Sequence, residues 1–144
     1  MTQRTTGSTD VSGPITTDAE LLTLVEELIG GAIINRVWLL YLDARGRPVP
    51  LVVPVDGMCC HCPIDDGELS DLLVLAVRAG RTARAVEFVV VWERGGGARL
   101  TMGERETADR LKRLHGEYSR TLRQAQSLEL RAQFLSHTEG VVRV

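Results

Sequence analysis

Aromatic residues are scarce in this 144-residue chain, with two Trp, two Tyr and two Phe making up 4% of it. So few rings argue against a platform on which nucleic-acid bases would stack. An excess of charge of one sign is missing as well: 17 Lys and Arg stand against 19 Asp and Glu, a net charge of −2. No bulk field therefore points to nucleic acid or to an anionic membrane surface. No apolar run approaches the roughly 20 residues that span a bilayer. The opening stretch from Met1 to Pro14 has no hydrophobic segment of the secretory kind. It has too little apolar surface to offset the entropy of ordering, so residues 1–16 are expected to form a disordered tail ahead of one domain over 17–144. The three cysteines, Cys59, Cys60 and Cys62, form one odd-numbered cluster rather than a disulfide framework, and a cytoplasmic location is expected. Contiguous Cys59-Cys60-His61-Cys62 is poorly spaced to wrap one tetrahedral ion. It is read as a loop with thiols that could oxidise or pick up stray metal. No metal site and no cofactor are expected.

What is present is periodic. Thr17-Asp-Ala-Glu20 has capping-box spacing and opens a helix carrying Leu21, Leu24, Val25 and Leu28, ended by Gly30-Gly31. Val37–Leu42 is a continuous apolar run too short for a typical helix and reads as a strand covered on both faces. Asp43-Ala-Arg-Gly46 turns the chain into a second strand, Arg47–Val55. Its prolines, Pro48, Pro50 and Pro54, all have the same parity. Their missing amides fall on one side, which suits an edge strand, with Val49, Leu51, Val53 and Val55 facing the core. Asp65 or Asp66, with Glu68, can cap a helix carrying Leu69, Leu72, Leu73 and Ala76, with Gly80 near its end. The basic link Arg81–Arg84 then leads into the apolar run Ala85–Trp92, which is expected to be the central strand. A third helix runs from about Met102 to Gln124, with Leu111, Leu114, Tyr118 and Leu122 on its buried side and a mixed-charge face outside. Leu128–Phe134 alternates as a half-buried strand. A turn at His137–Gly140 gives a short last strand, Val141–Val144. The order predicts a mixed sheet of about five strands with a Pro-rich antiparallel edge hairpin and three helices: an α/β, three-layer-like single domain.

The chain is organised around Ala85–Leu111, in which a buried strand meets Glu93-Arg94, the turn Gly95-Gly96-Gly97 and a helix opened by Thr101-Met-Gly-Glu104. In α/β proteins the end of such a strand is where sites are usually built. The triglycine turn could cradle an anion on free amides at a helix N-terminus, with Arg94 and Arg99 as first partners, or be a flexible turn. Glu93 and Arg94 could be an acid–base pair or a solvated ion pair. His137 could approach the Glu93 end if the last strand lay beside the central one. His115 is expected to border the core. No Ser-His-Asp or Cys-His set with its strand–turn–helix context is present.

The stretch Leu39-Leu-Tyr-Leu-Asp-Ala-Arg-Gly46, a helix, and then Val89-Val-Val-Trp-Glu-Arg-Gly-Gly-Gly97 resembles the core of RadC-type domains in the JAB/MPN metalloprotease-like superfamily. The likeness runs from about Val37 to the C-terminus and rests on element order and spacing. In that family an apolar strand ends in a His-x-His-Pro-Ser-Gly turn, followed by a serine and an aspartate at the next helix. Laid on this chain, the histidines fall on Trp92 and Arg94 and the Pro-Ser-Gly on Gly95, Gly96 and Gly97. The serine falls near Thr101 and the aspartate near Glu104. Tryptophan offers no such ligand and arginine stays protonated, so the resemblance implies a copy that is metal-free and non-hydrolytic at that position. The chain also looks like an uncharacterised actinobacterial group whose strand ends Glu-Arg-Pro-Gly and whose C-terminus carries His-x-Ala-Thr-x-Gly-Val. Here those positions read Glu93-Arg94-Gly95-Gly96 and His137-Thr138-Glu139-Gly140-Val141. A cytidine-deaminase-like fold shares much of the order, but its His-x-Glu and Pro-Cys-x-x-Cys are absent.

These readings give one leading expectation and two alternatives. The first is a non-catalytic protein-interaction or scaffold domain, meeting a protein partner or a second copy of itself through a sheet edge, without nucleic acid or membrane. The second is a small-ligand or anion binder at Gly95–Gly97. The third is a hydrolase using Glu93 and His137.

Overall fold

A computed structural model describes residues 13–32, 34–58, 64–123 and 126–144. The elements are α1 (Asp18–Leu28), β1 (Arg36–Leu42), β2 (Pro48–Asp56), α2 (Asp66–Thr82), β3 (Glu87–Glu93), α3 (Met102–Arg120), β4 (Glu129–His137) and β5 (Gly140–Arg143). The five strands form one sheet in the order β2-β1-β3-β4-β5. β3 pairs antiparallel with β1 and parallel with β4, and hairpins β1–β2 and β4–β5 complete the two sides. The α+β class, the three helices and the mixed five-stranded sheet are as the pattern predicts. Both helical crossovers, β2–α2–β3 and β3–α3–β4, step the same way across the sheet. Right-handed connection therefore places α2 and α3 on one face, and α1 covers the other.

Two buried clusters follow from strand alternation. Val37, Leu39, Tyr41, Phe88, Val90, Trp92 and Leu135 meet Leu69, Leu73, Ala76 and Leu111 on the α2/α3 side. Leu40, Leu42, Val89, Val91, Ala132 and Phe134 meet Leu21, Leu24 and Val25 of α1. β2 is the edge that its prolines predict: Val49, Leu51, Val53 and Val55 pack on the first cluster, while Pro50, Val52 and Pro54 are exposed. Among the described residues the three helices each open with a complete capping box: Thr17 with Glu20, Asp65 with Glu68, and Thr101 with Glu104. Asp18 joins α1 to the sheet through Arg131 at 2.9 Å, a contact that lowers its pKa, helped by Arg143.

Several boundaries differ from the pattern. Ile15, expected in the tail, donates its N–H to the Gly46 carbonyl at 2.6 Å and packs on the α1-side cluster. The part of the expected tail over 1–12 lies outside the described residues, as do Cys59, Cys60, His61 and Cys62 and the end of the third helix at Gln124. Within the described residues α3 ends at Arg120, capped by Thr121. α2 continues through Thr82, so Arg81 is helical rather than part of a link. β4 runs on to His137 and is buried on both faces from Ala132. Sequence alternation made it half-exposed because Gln133 is polar, but Gln133 sits inside with both ends of its amide engaged. It accepts from Trp92 Nε1 at 2.9 Å and donates to the Ala108 carbonyl at 3.0 Å.

Two positions show how tightly the α2–β3 corner is made. A Cβ on Gly80 would lie 2.3 Å from Leu128 Cδ2 and 2.7 Å from Tyr41 Cε1, so only glycine lets α2 sit this close to the sheet. Tyr41 donates its hydroxyl to the Ala76 carbonyl at 2.8 Å, and its burial raises the phenol pKa. Just beyond, Arg84 N–H donates to the Arg81 carbonyl and Ala85 N–H to the Gly80 carbonyl. This is a Schellman ending with Arg84 at φ 63°, a left-handed position that glycine usually fills. A side chain there costs about 1–2 kcal/mol.

Candidate functional site

Strand β3 delivers Glu93 and Arg94 to opposite faces of the sheet, because successive side chains alternate. Glu93 points to the α1 side. It is buried and accepts from Trp38 Nε1 at 2.8 Å and from the Ile34 backbone N–H at 3.2 Å. Arg94 points to the α3 side, where Thr101 has opened α3 and brought Glu104 beneath it. The pair is bidentate: Arg94 Nε to Glu104 Oε2 at 2.6 Å and Nη2 to Oε1 at 3.0 Å. Side-chain exposures of 7% and 1% make it a buried ion pair.

The loop closes around that guanidinium. Nη1 donates to the carbonyls of Gly95 at 3.1 Å and Gly97 at 2.6 Å, and Nη2 donates to the Arg99 carbonyl at 3.0 Å. With its two bonds to Glu104, the five N–H groups of the side chain all have acceptors within the protein. Glu104 Oε1 also accepts from the Thr101 N–H at 2.8 Å, so one carboxylate caps the helix and neutralises the arginine. Glycine suits this wrapping at Gly96, where φ is +101° and a Cβ would stand 3.2 Å from Arg94 Nη1. Across the loop, Gly96 N–H donates to Thr138 Oγ1 at 2.9 Å and Thr138 N–H to the Gly96 carbonyl at 3.0 Å. The turn between β4 and β5 is thereby stitched to the triglycine.

The expected site residues thus fall into three groups. Arg94, Gly95, Gly97 and the Arg99 backbone converge on the buried ion pair, and Gly96 ties it to the β4–β5 turn. The carbonyls of Gly95 and Gly97, not their amides, face the arginine, and the Arg99 side chain is exposed. Glu93 and His137 are not brought together. Glu93 is paired in register with Ser136, so the next residue, His137, points to the other face of the sheet, where its Nδ1 accepts from Glu139 N–H at 3.3 Å. The sheet therefore separates the acid and base that a hydrolase reading requires, because parity and not chain proximity sets the face. His115 does border the core: its ring meets Phe88 edge-on and Nε2 lies 2.7 Å from the Leu128 carbonyl.

Sequence reasoning missed three participants: Thr138, Gln133 and the second role of Glu104. A capping-box glutamate has a second oxygen to satisfy, and an arginine at the preceding strand end is the signal that could have found it. At the four positions where the resemblance lays metal-site residues, Trp92 bonds Gln133, Arg94 bonds Glu104, and Thr101 caps α3 with Glu104. Among the described residues no group of three or more His, Cys, Asp or Glu could hold a metal ion, and no helix is long and apolar enough to cross a membrane. The chain matches no model of a known protein family and no curated protein.

Proposed function

We propose that this domain is a non-catalytic interaction module, a metal-less relative of the RadC-type JAB/MPN fold. The observation that carries the reading is the Arg94 guanidinium locked by Glu104 and three loop carbonyls at the end of the central strand. A fixed internal cation occupies the place where the resemblance would put a catalytic one, and its own charge disfavours a second cation beside it. The same wrapping disfavours the triglycine as an anion cradle, since the arginine that would reach the ligand is already bound within the protein.

The module acts through a free sheet edge, with a partner protein or a second copy adding a strand. The β2 edge carries Pro48, Pro50 and Pro54 and is a poor template. The β5 edge has no proline. Val144 N–H turns inward to the Gln133 carbonyl at 3.0 Å, so the Arg143 amide, one residue before it, faces outward. Cytoplasmic residence belongs to this proposal.

Two measurements on the full chain test it. Zinc titration by calorimetry is expected to give no stoichiometric uptake; tight uptake that disappears in Glu104→Ala contradicts the reading. Sedimentation velocity over a concentration series is expected to show self-association that Arg143→Pro abolishes. A chain that stays monomeric and captures no partner strand loses the interaction part of the proposal.

A further inference from the structure

The opposite end of β3 carries a second, differently built feature. A cleft of about 720 Å³ opens where α2 ends, lined by Arg78, Arg81 and Arg84 together with Ser127. All three arginines are exposed. Arg36, Arg94, Arg110, Arg113, Arg131 and Arg143 each lie against a carboxylate, while among the described residues Arg45, Arg47, Arg99, Arg105, Arg120 and Arg123 form no ion pair but do not line this cleft. Among the described residues, no ion pair or hydrogen bond engages the guanidinium of Arg78, Arg81 or Arg84; the Thr82 hydroxyl donates only to the Arg78 carbonyl. No Asp or Glu lines the cleft among the described residues, and the nearest in the chain, Glu87 and Glu129, pair in register just beyond Val86 and Leu128.

Basic residues at a helix C-terminus have an ordinary use, complementing the helix dipole. That use does not account for Arg84. It lies past the helix at φ 63°, where glycine would relieve the backbone and still make the same Schellman hydrogen bonds. A strained residue kept in place of the easy one motivates a role for its side chain. The Gly80 and Arg81 carbonyls, which would repel an anion, are taken up by the amides of Ala85 and Arg84. The floor is held firmly: Glu129 N–H donates to the Val86 carbonyl, Val86 N–H donates to the Leu42 carbonyl, and Gly80 packs on Leu128 and Tyr41.

We infer that this cleft binds a compact phosphate-bearing anion through the guanidiniums of Arg78, Arg81 and Arg84. Three permanent positive charges at one place match a group carrying two or more negative charges, which a phosphate ester or diphosphate has and a lone carboxylate lacks. Arginine forks bond phosphate oxygens in pairs. Among the described residues no aromatic ring lines the cleft, so the anionic group, not an attached base, is what is recognised. The site is independent of the Arg94–Glu104 loop and of the interaction reading.

Inorganic pyrophosphate titrated into the full chain by calorimetry tests this, with sodium chloride at matched ionic strength as the blank. One equivalent is expected to bind, about tenfold more weakly in Arg81→Gln and again in Arg84→Gly. Arg84→Gly is also expected to raise the melting temperature of the free protein, which separates lost binding from lost fold. No binding by the parent chain overturns the inference, as does unchanged affinity in both variants. Binding of single-stranded oligothymidylate without binding of pyrophosphate overturns it too, in favour of a nucleic-acid backbone.

Discussion

Two arginines mark the two ends of the central strand, and they are treated in opposite ways. Arg94, just after β3, is buried and has an acceptor for every N–H. Arg84, three residues before β3, is exposed, unpaired among the described residues and held in a left-handed backbone conformation. One side chain stabilises its surroundings; the other is kept although its surroundings would be easier without it. The difference teaches that a suggestive motif can have its polar groups taken up within the protein, as Arg94 is by Glu104 and the loop carbonyls. The triglycine that reads as a ligand cradle is a wrapper for an internal cation. A plain helix ending carries the charge that faces outward.

The largest expected effect is at Arg94. Replacing it with Met leaves the Glu104 carboxylate buried without its counter-ion and frees three loop carbonyls. Unfolding free energy in urea is expected to fall by about 3–5 kcal/mol, the range for breaking a buried pair from one side. A loss no greater than that of a surface pair would erase the contrast between the two ends. Gly80→Ala comes next, since its Cβ would run into Leu128 and the Tyr41 ring. Overpacking of this kind lowers stability by about 1–3 kcal/mol, read from the same urea curves. Arg84→Gly has the opposite sign and is expected to raise stability by about 1 kcal/mol, with a higher melting temperature. A fall would show that the arginine supports the corner after all.

The smallest effect is in acid. Thr16 and Thr17 donate backbone and hydroxyl hydrogens to Glu20, which lowers its pKa from 4.5 to about 2. A depressed carboxylate contributes stability that is fully present above its unfolded value and is lost as pH falls through its folded one. Glu20→Gln is therefore expected to flatten part of the acid limb of the urea midpoint between about pH 4.5 and 2. Because Glu20 is exposed, the change is modest.

Much of the fold was legible because burial leaves periodic marks. The capping boxes at Thr17 and Thr101 marked two helix starts, the third was narrowed to Asp65 or Asp66 and is Asp65, and the parity of the β2 prolines placed that strand at the edge. β4 was legible only in part. Its polar Gln133 looks like a solvent-facing position until Trp92 and the Ala108 carbonyl are brought to it from distant parts of the chain. The site was less legible for the same reason. Glu93, Arg94 and His137 are close to one sheet end, but which face each takes depends on strand register, and register is a tertiary fact. The Arg94–Glu104 pair needs the intervening loop to fold back on itself, which no local propensity dictates.

A double-mutant cycle on Arg94→Met and Glu104→Leu, measured as unfolding free energy, tests the central claim that these two side chains form one internal unit at the end of β3. The account predicts a coupling energy of about 2 kcal/mol or more, with the double variant losing well under the sum of the two single losses. Additive losses would contradict it, because they would mean that the two charges do not meet in the folded protein.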